Sequence, residues 1–327
     1  MMKLNLFKKA ALGMLLFTGL TATLNAQTVN DALAAFNKGI ELSQTDKFDE
    51  AIASFTSAID IFNQTEPENE TKAKAQEQIV VVQYKKASGL LKEKKYDDCI
   101  AAFDKLVEYS TSFNNEKYLK RANSAIPKIH YAKGKDLYDT KQYDEALGSL
   151  NKSIELDPNY PMAYVRKAQV FEDKNDAESF KQVIDLAIEV SIQSNDLKSE
   201  ETAKQIAGNF FLRSGADAFK AEKYSNAATY FNSVLEYKEG DTDIYYQLAA
   251  IYNKLSKWDE AITAANKSLE LFKEQGTTKD ARIYFELGNA YVGKADNAAA
   301  CDAYKKANKG DYAAASKYQI EQVLKCQ

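Results

Sequence analysis

Few side chains in this sequence are equipped for chemistry, and their spacing limits what that chemistry could be. The sole histidine is His130. With no adjacent Ser or Cys nucleophile it makes no recognisable dyad, and it reads as a packing residue. One histidine and no Cys-x2-Cys pair also exclude the usual zinc patterns. There is no phosphate loop and no dinucleotide-type glycine cluster. The acidic pairs Asp97-Asp98 and Asp144-Glu145 suit helix starts, where a negative charge meets the positive end of the dipole. Acid–base catalysis by paired carboxylates needs a shaped pocket, and nothing in the sequence marks one. The cysteines are Cys99, Cys301 and Cys326. An odd count leaves at least one thiol unpaired even in an oxidising compartment. Cys301 and Cys326 lie close to the C-terminus and can pair, or stay as two inert thiols. The expectation is therefore a protein with no catalytic residue, no metal and no cofactor.

The composition bounds the rest. Of 327 residues, 45% are hydrophobic and 28% charged, ample for a large apolar core. Only 4 Pro and 13 Gly over this length favour long helices. The net charge of −4 argues against a nucleic-acid partner, which needs a basic footprint, and against an anionic membrane surface. Residues 1–26 read as a signal peptide. Lys3, Lys8 and Lys9 form its positive region, Ala10 to Leu20 its apolar run of 11 residues, and Ala26 its cleavage position. That run is too short to span a bilayer. No Cys follows it, so a lipidated start is missing, and no later stretch is apolar enough for a transmembrane span. The expected location is the periplasm or the exterior, with a mature chain of residues 27–327.

The elements that would position a site announce themselves by repetition. An aromatic residue, two mostly acidic or polar residues and Ala recur as Phe48-Asp49-Glu50-Ala51, Tyr143-Asp144-Glu145-Ala146 and Trp258-Asp259-Glu260-Ala261. Weaker forms are Tyr96-Asp97-Asp98-Cys99 and Tyr224-Ser225-Asn226-Ala227. Upstream of each lies an amphipathic stretch with apolar or small residues at i, i+3, i+4 and i+7. Gly39, Gly134, Gly215 and Gly288 each stand twelve residues before the repeated Ala. Small residues there let two helix backbones approach closely, and Phe55, Phe103, Leu150 and Phe231 fill the groove between them. The unit is a helical hairpin.

At this point the sequence resembles the tetratricopeptide-repeat family, whose signature is Trp-x2-Leu-Gly-x2-Tyr, then Ala-x3-Phe, Ala and Pro over 34 residues. Tyr284, Leu287, Gly288, Tyr291, Ala300, Tyr304 and Ala307 carry the best match. Gly134, Leu137, Tyr143, Ala146, Leu150 and Pro158 carry another. Seven repeats are expected, at about 32–65, 80–113, 127–160, 161–194, 208–241, 242–275 and 281–314, with a capping helix at 312–325. The fold implied is all-α, an α-solenoid wound as a right-handed superhelix. The repeated position falls at Ala51, Cys99, Ala146, Phe180, Ala227, Ala261 and Ala300, at intervals of 48, 47, 34, 47, 34 and 39. The excess of 13 or 14 is close to four helical turns, so lengthened helices rather than loops are expected in the wider intervals. Pro127 is expected to start or kink a helix.

Position 5 of the seven first helices reads Phe36, Tyr84, Tyr131, Val165, Leu212, Tyr246 and Phe285. Positions 2, 5, 9 and 12 share one helix face. In tetratricopeptide repeats that face lines a concave groove where peptides bind, and large rigid rings lose little entropy on binding. The alternative is that the rings close the packing between neighbouring first helices. Lys128, Lys135, Arg166 and Arg213 on the same face could favour an acidic segment or a carboxylate, or stand as a solvated face paired with Asp139, Glu172 and Asp173. The resemblance implies a protein-interaction scaffold with a protein or peptide partner. The alternative function is an enzyme or small-molecule receptor with a pocket inside the superhelix. Self-association through the terminal repeats stays open.

Overall fold

The structure is a computed structural model that describes residues 28–238, 240–274 and 280–326. The signal peptide expected at 1–26 lies outside the described residues. Two compact units divide the chain, Met1–Pro158 and Asn159–Gln327.

The first unit holds α1 (28–44), α2 (Phe48–Thr65), α3 (Glu70–Lys92), α4 (Tyr96–Ser112), α5 (Glu116–Asp139) and α6 (Tyr143–Leu156). The second holds α7 (Pro161–Asp173), α8 (Ala177–Gln193), α9 (Leu197–Lys220), α10 (Tyr224–Tyr237), α11 (Thr242–Lys254), α12 (Trp258–Glu274), α13 (Ala281–Gly293) and α14 (Asn297–Ala307). A C-terminal segment follows: a 3-10 turn (Gly310–Tyr312), α15 (Ala313–Tyr318) and a π turn (Gln319–Val323). The capping helix expected at 312–325 is thus helical as far as Val323, changing its winding twice, and ends before Leu324 and Lys325. Among the described residues there is no strand.

Helices pair in sequence, and each pair packs on the next within its unit. The paired helices meet as the repeated residues require. Ala51, Cys99, Ala146, Phe180, Ala227, Ala261 and Ala300 are all fully buried. Four residues on, Phe55, Leu150, Phe231 and Tyr304 lie against Gly39, Gly134, Gly215 and Gly288 of the partner helix. A Cβ at Gly134 would stand 2.7 Å from Leu150 Cγ, and one at Gly288 2.7 Å from Tyr304 Cε1. Only a missing side chain lets these rows interlock.

Each hairpin turns through one residue in the left-handed region: Asp46, Lys94, Lys141, Asn175, Glu222, Ser256 and Ala295, with φ between 56° and 62°. Hydrogen bonds from Lys141 N–H to the Tyr138 carbonyl (2.8 Å) and from Gln142 N–H to the Leu137 carbonyl (2.9 Å) close the end of α5 as a Schellman motif. The connections α4–α5 and α8–α9 use the same turn, at Asn114 (φ 54°) and Asn195 (φ 55°). The side chains of Asn115, Asp176, Asp196 and Asp296 then cap the following helix by accepting from its third N–H.

Helix lengths account for the uneven repeat spacing. Where the interval is 34, a 14-residue second helix (α6, α10) precedes a 13-residue first helix (α7, α11). Where it is 47 or 48, second helices of 17 or 18 residues (α2, α4, α8) precede first helices of 23 or 24 (α3, α5, α9). The insertions are added helical turns. Pro127 does not start a helix: α5 begins at Glu116, capped by Asn115, and runs through the buried proline.

Candidate functional site

A run of adjoining troughs lies wholly in the second unit. Three troughs of about 650, 450 and 690 Å³ adjoin there. The first two share Leu212, Asp241 and Ile244, and the last two share Phe219 and Gln247. Together they form one furrow along α9, α11 and α13. From α9 come Asn209, Leu212, Ala216 and Phe219. From α11 come Asp243, Tyr246, Ala250 and Asn253, and from α13 Phe285, Asn289 and Val292. These fall at positions 2, 5, 9 and 12 of their repeats, the face that an α-helix of 3.6 residues per turn turns to one side. The close approach enforced inside each hairpin fixes how the three faces align.

Apolar surface and polar groups alternate along the furrow. Leu212 is 41% exposed. Tyr246 lies under the Arg282 guanidinium, 4.6 Å from the ring centroid. Burial, then its hydrogen bond with Tyr312, raises the Tyr246 phenol above its ordinary value. Asn253 Nδ2 donates to the Glu286 carbonyl (2.9 Å) and to Glu286 Oε2 (2.8 Å). Asn289 Nδ2 donates to the same carboxylate (3.2 Å), and Tyr304 OH donates to Asn289 Oδ1 (2.7 Å). This network holds two asparagine amides in the floor, with Asn253 Oδ1 left as an unpartnered acceptor. Three ion pairs stand along the furrow's rim: Lys204 with Glu200 (2.6 Å), Lys238 with Asp241 (3.0 Å), and Arg282 with Asp243.

The residues singled out by the sequence fall into different settings. Leu212, Tyr246 and Phe285 come together along the furrow. Val165 does not join them; at 1% exposure it is part of the core of the second unit. Phe36, Tyr84 and Tyr131 belong to the first unit and are half-buried. There Phe36 packs on Phe55 (5.6 Å), and Tyr84 on Phe103 (6.2 Å) and Tyr118 (5.4 Å), with Arg121 over both tyrosines. Phe285 likewise touches its own hairpin through Tyr304 (5.5 Å).

Lys128 is exposed in the first unit, where Lys135 is bound to Asp139 (2.7 Å). In the second, Arg213 is bound to Glu172 (2.7 Å) and Arg166 is half-buried. His130 is half-buried, and burial, with Lys133 and Lys152 nearby, lowers its pKa. Cys301 and Cys326 are joined in a disulfide with Cα atoms 5.8 Å apart. Sequence reasoning missed Phe219, Asn253 and Tyr312. The first two were findable, as they stand at position 12, seven residues beyond Leu212 and Tyr246. Tyr312 lies outside any repeat and left no such signal.

A family model described as tetratricopeptide repeat matches residues 241–309, and a second, described as TPR repeat, matches 134–175. No curated protein matches the sequence. Among solved structures, MamA protein shares 20% identity over 60% of this chain and 94% of its own, at a TM-score of 0.29. The TPR2AB-domain:pHSP90 complex of yeast Sti1 shares 16% over 89% and 95%, at 0.30. YrrB, described as a TPR protein with an unusual peptide-binding site, shares 21% over 63% and 91%, at 0.32. The two family matches, the glycine packing inside the hairpins and the buried residues of the repeated position lead to one identification: the chain carries tetratricopeptide repeats, matched at residues 134–175 and 241–309.

Proposed function

We propose that the chain is a protein-interaction scaffold whose second unit grips a segment of a partner protein along the α9–α11–α13 furrow, in an extracytoplasmic compartment. The observation that carries this reading is the alignment of Leu212, Phe219, Tyr246 and Phe285 beside the amides of Asn253 and Asn289. Rings and leucine take apolar side chains, while Asn289, oriented by Glu286 and Tyr304, keeps one N–H of its amide to donate to a peptide carbonyl. The leader-like residues 1–26 and the Cys301–Cys326 disulfide support the compartment, since disulfides persist where the medium is oxidising. No catalytic role is assigned.

A photo-crosslinking residue placed at 212 tests the furrow, with the same group at 186 as control, since Leu186 on α8 is also exposed, at 45%. Position 212 should trap a defined partner segment and 186 should not. Leu212→Glu, which disturbs no core packing, should weaken that partner about tenfold or more. Equal trapping at both positions would refute the furrow.

A further inference from the structure

The C-terminal segment sits on the furrow it follows. The Tyr312 ring lies 5.3 Å from the Phe285 ring, and its hydroxyl is 3.3 Å from that of Tyr246. Gln319 lines the third trough together with Tyr246 and Phe285. Two of the rings assigned to the partner are therefore already covered by the chain's own tail. Yet packing holds this tail weakly. The 3-10 and π turns bury no residue, and α15 buries only Ser316. Tyr318 and Val323 stay 60% and 48% exposed. What fixes the segment is covalent: Cys326, at its far end, is bonded to Cys301 on α14, and neither residue is fully buried.

We infer that the Cys301–Cys326 disulfide is a latch that keeps the C-terminal segment over the α11–α13 end of the furrow, and that its reduction opens that end to the partner. The inference rests on the furrow being the partner site. The reductant is a dithiol. Its thiolate attacks one sulfur, the Cys301–Cys326 bond breaks, and its second thiol resolves the mixed disulfide. Two electrons and two protons pass to the protein, leaving two cysteine thiols and one oxidised reductant. The tail then loses the closure of a loop whose ends are 25 residues apart, and the little surface it buries competes poorly with its regained freedom.

The test uses the full chain in three forms: oxidised, treated with dithiothreitol, and Cys326→Ser. Hydrogen exchange of residues 308–326 should accelerate about tenfold or more in the last two, and at most a few hundredfold, the ceiling that chain entropy sets for such a loop. Nitration of Tyr246, mapped by mass spectrometry, should rise with it, while the already exposed Tyr318 reacts alike in all three. Tyr312→Ala in the oxidised chain should uncover Tyr246 and leave most of the segment protected. A segment equally protected in Cys326→Ser, or one released while Tyr246 stays shielded, overturns the latch. Neither readout needs a partner. A tail that moves while position 212 traps nothing therefore sinks the furrow reading, and with it the opening to a partner, but not the tail's tether; trapping at 212 with an immobile tail sinks the latch alone.

Discussion

The same substitution, glycine to alanine, should have opposite signs at two places in one hairpin. Gly134 lies within α5 and Gly148 within α6. In either helix, replacing glycine removes backbone entropy from the unfolded chain and favours folding by about 0.5–1 kcal/mol. At Gly148 nothing stands within 4 Å of the added Cβ, so that gain should appear in full. At Gly134 the new methyl would meet Leu150 Cγ at 2.7 Å, Leu150 Cδ2 at 3.0 Å and the Ala146 carbonyl oxygen at 3.3 Å. Leu150 is fully buried, and the carbonyl is backbone. Overpacking of this kind costs about 1–3 kcal/mol, which exceeds the propensity gain. Gly134→Ala should therefore destabilise by about 1 kcal/mol, and the two variants should differ by about 1–3 kcal/mol. Urea unfolding followed by circular dichroism at unchanged m-value reads the difference. Combining Gly134→Ala with Leu150→Ala should cost less than the sum of the single changes, because the methyl refills part of the void. A Gly134→Ala protein as stable as Gly148→Ala would refute the claim that interlocking of bare backbone and side chain holds the hairpins together.

Two further outcomes follow from the buried titratable groups. Burial pushes the Cys99 thiol up to about 11, and its Sγ donates to the Ala87 carbonyl at 3.3 Å. At pH 8 only about one molecule in a thousand would carry the thiolate, so iodoacetamide should label Cys99 in denaturant but not in the folded chain; rapid native labelling would contradict its burial. For His130, burial and the charges of Lys133 and Lys152 favour the neutral ring in the fold, partly offset by Asp104 and Asp97. The unfolded chain takes up the proton first as pH falls below about 6.5. The contribution is thus fully present above that pH and is lost as pH falls through the depressed folded value. Wild type should lose stability relative to His130→Phe between pH 7 and 5, and a pH-independent difference would show that the ring is not desolvated.

Much of the local architecture was legible because it obeys short-range rules. Ala146 twelve residues after Gly134, with Leu150 four beyond, already specifies two helices in contact, since no other pairing places a side chain over a bare backbone at that spacing. The extra 13 or 14 residues between repeats read as helix because those stretches lack breakers and keep the apolar faces in phase. The turn at Lys141 was not legible. Lysine, glutamate and alanine carry little preference for positive φ, and the conformation is imposed by the two helices that the turn must join.

The candidate site divides along the same line. The sequence by itself determined which residues share a helix face, because helical periodicity is a property of the chain alone; it thereby named Leu212, Tyr246 and Phe285. Tertiary structure decided which of those faces stay open. Val165 has the same register as Leu212, yet it is 1% exposed in the core of the second unit, while Leu212 is 41% exposed. Only the folded chain places Tyr312 on Phe285 and Tyr246, a contact 27 and 66 residues away in sequence that no repeat encodes. Periodicity fixes direction around a helix axis, whereas exposure depends on what neighbouring elements cover, and that is a sum over contacts distant along the chain.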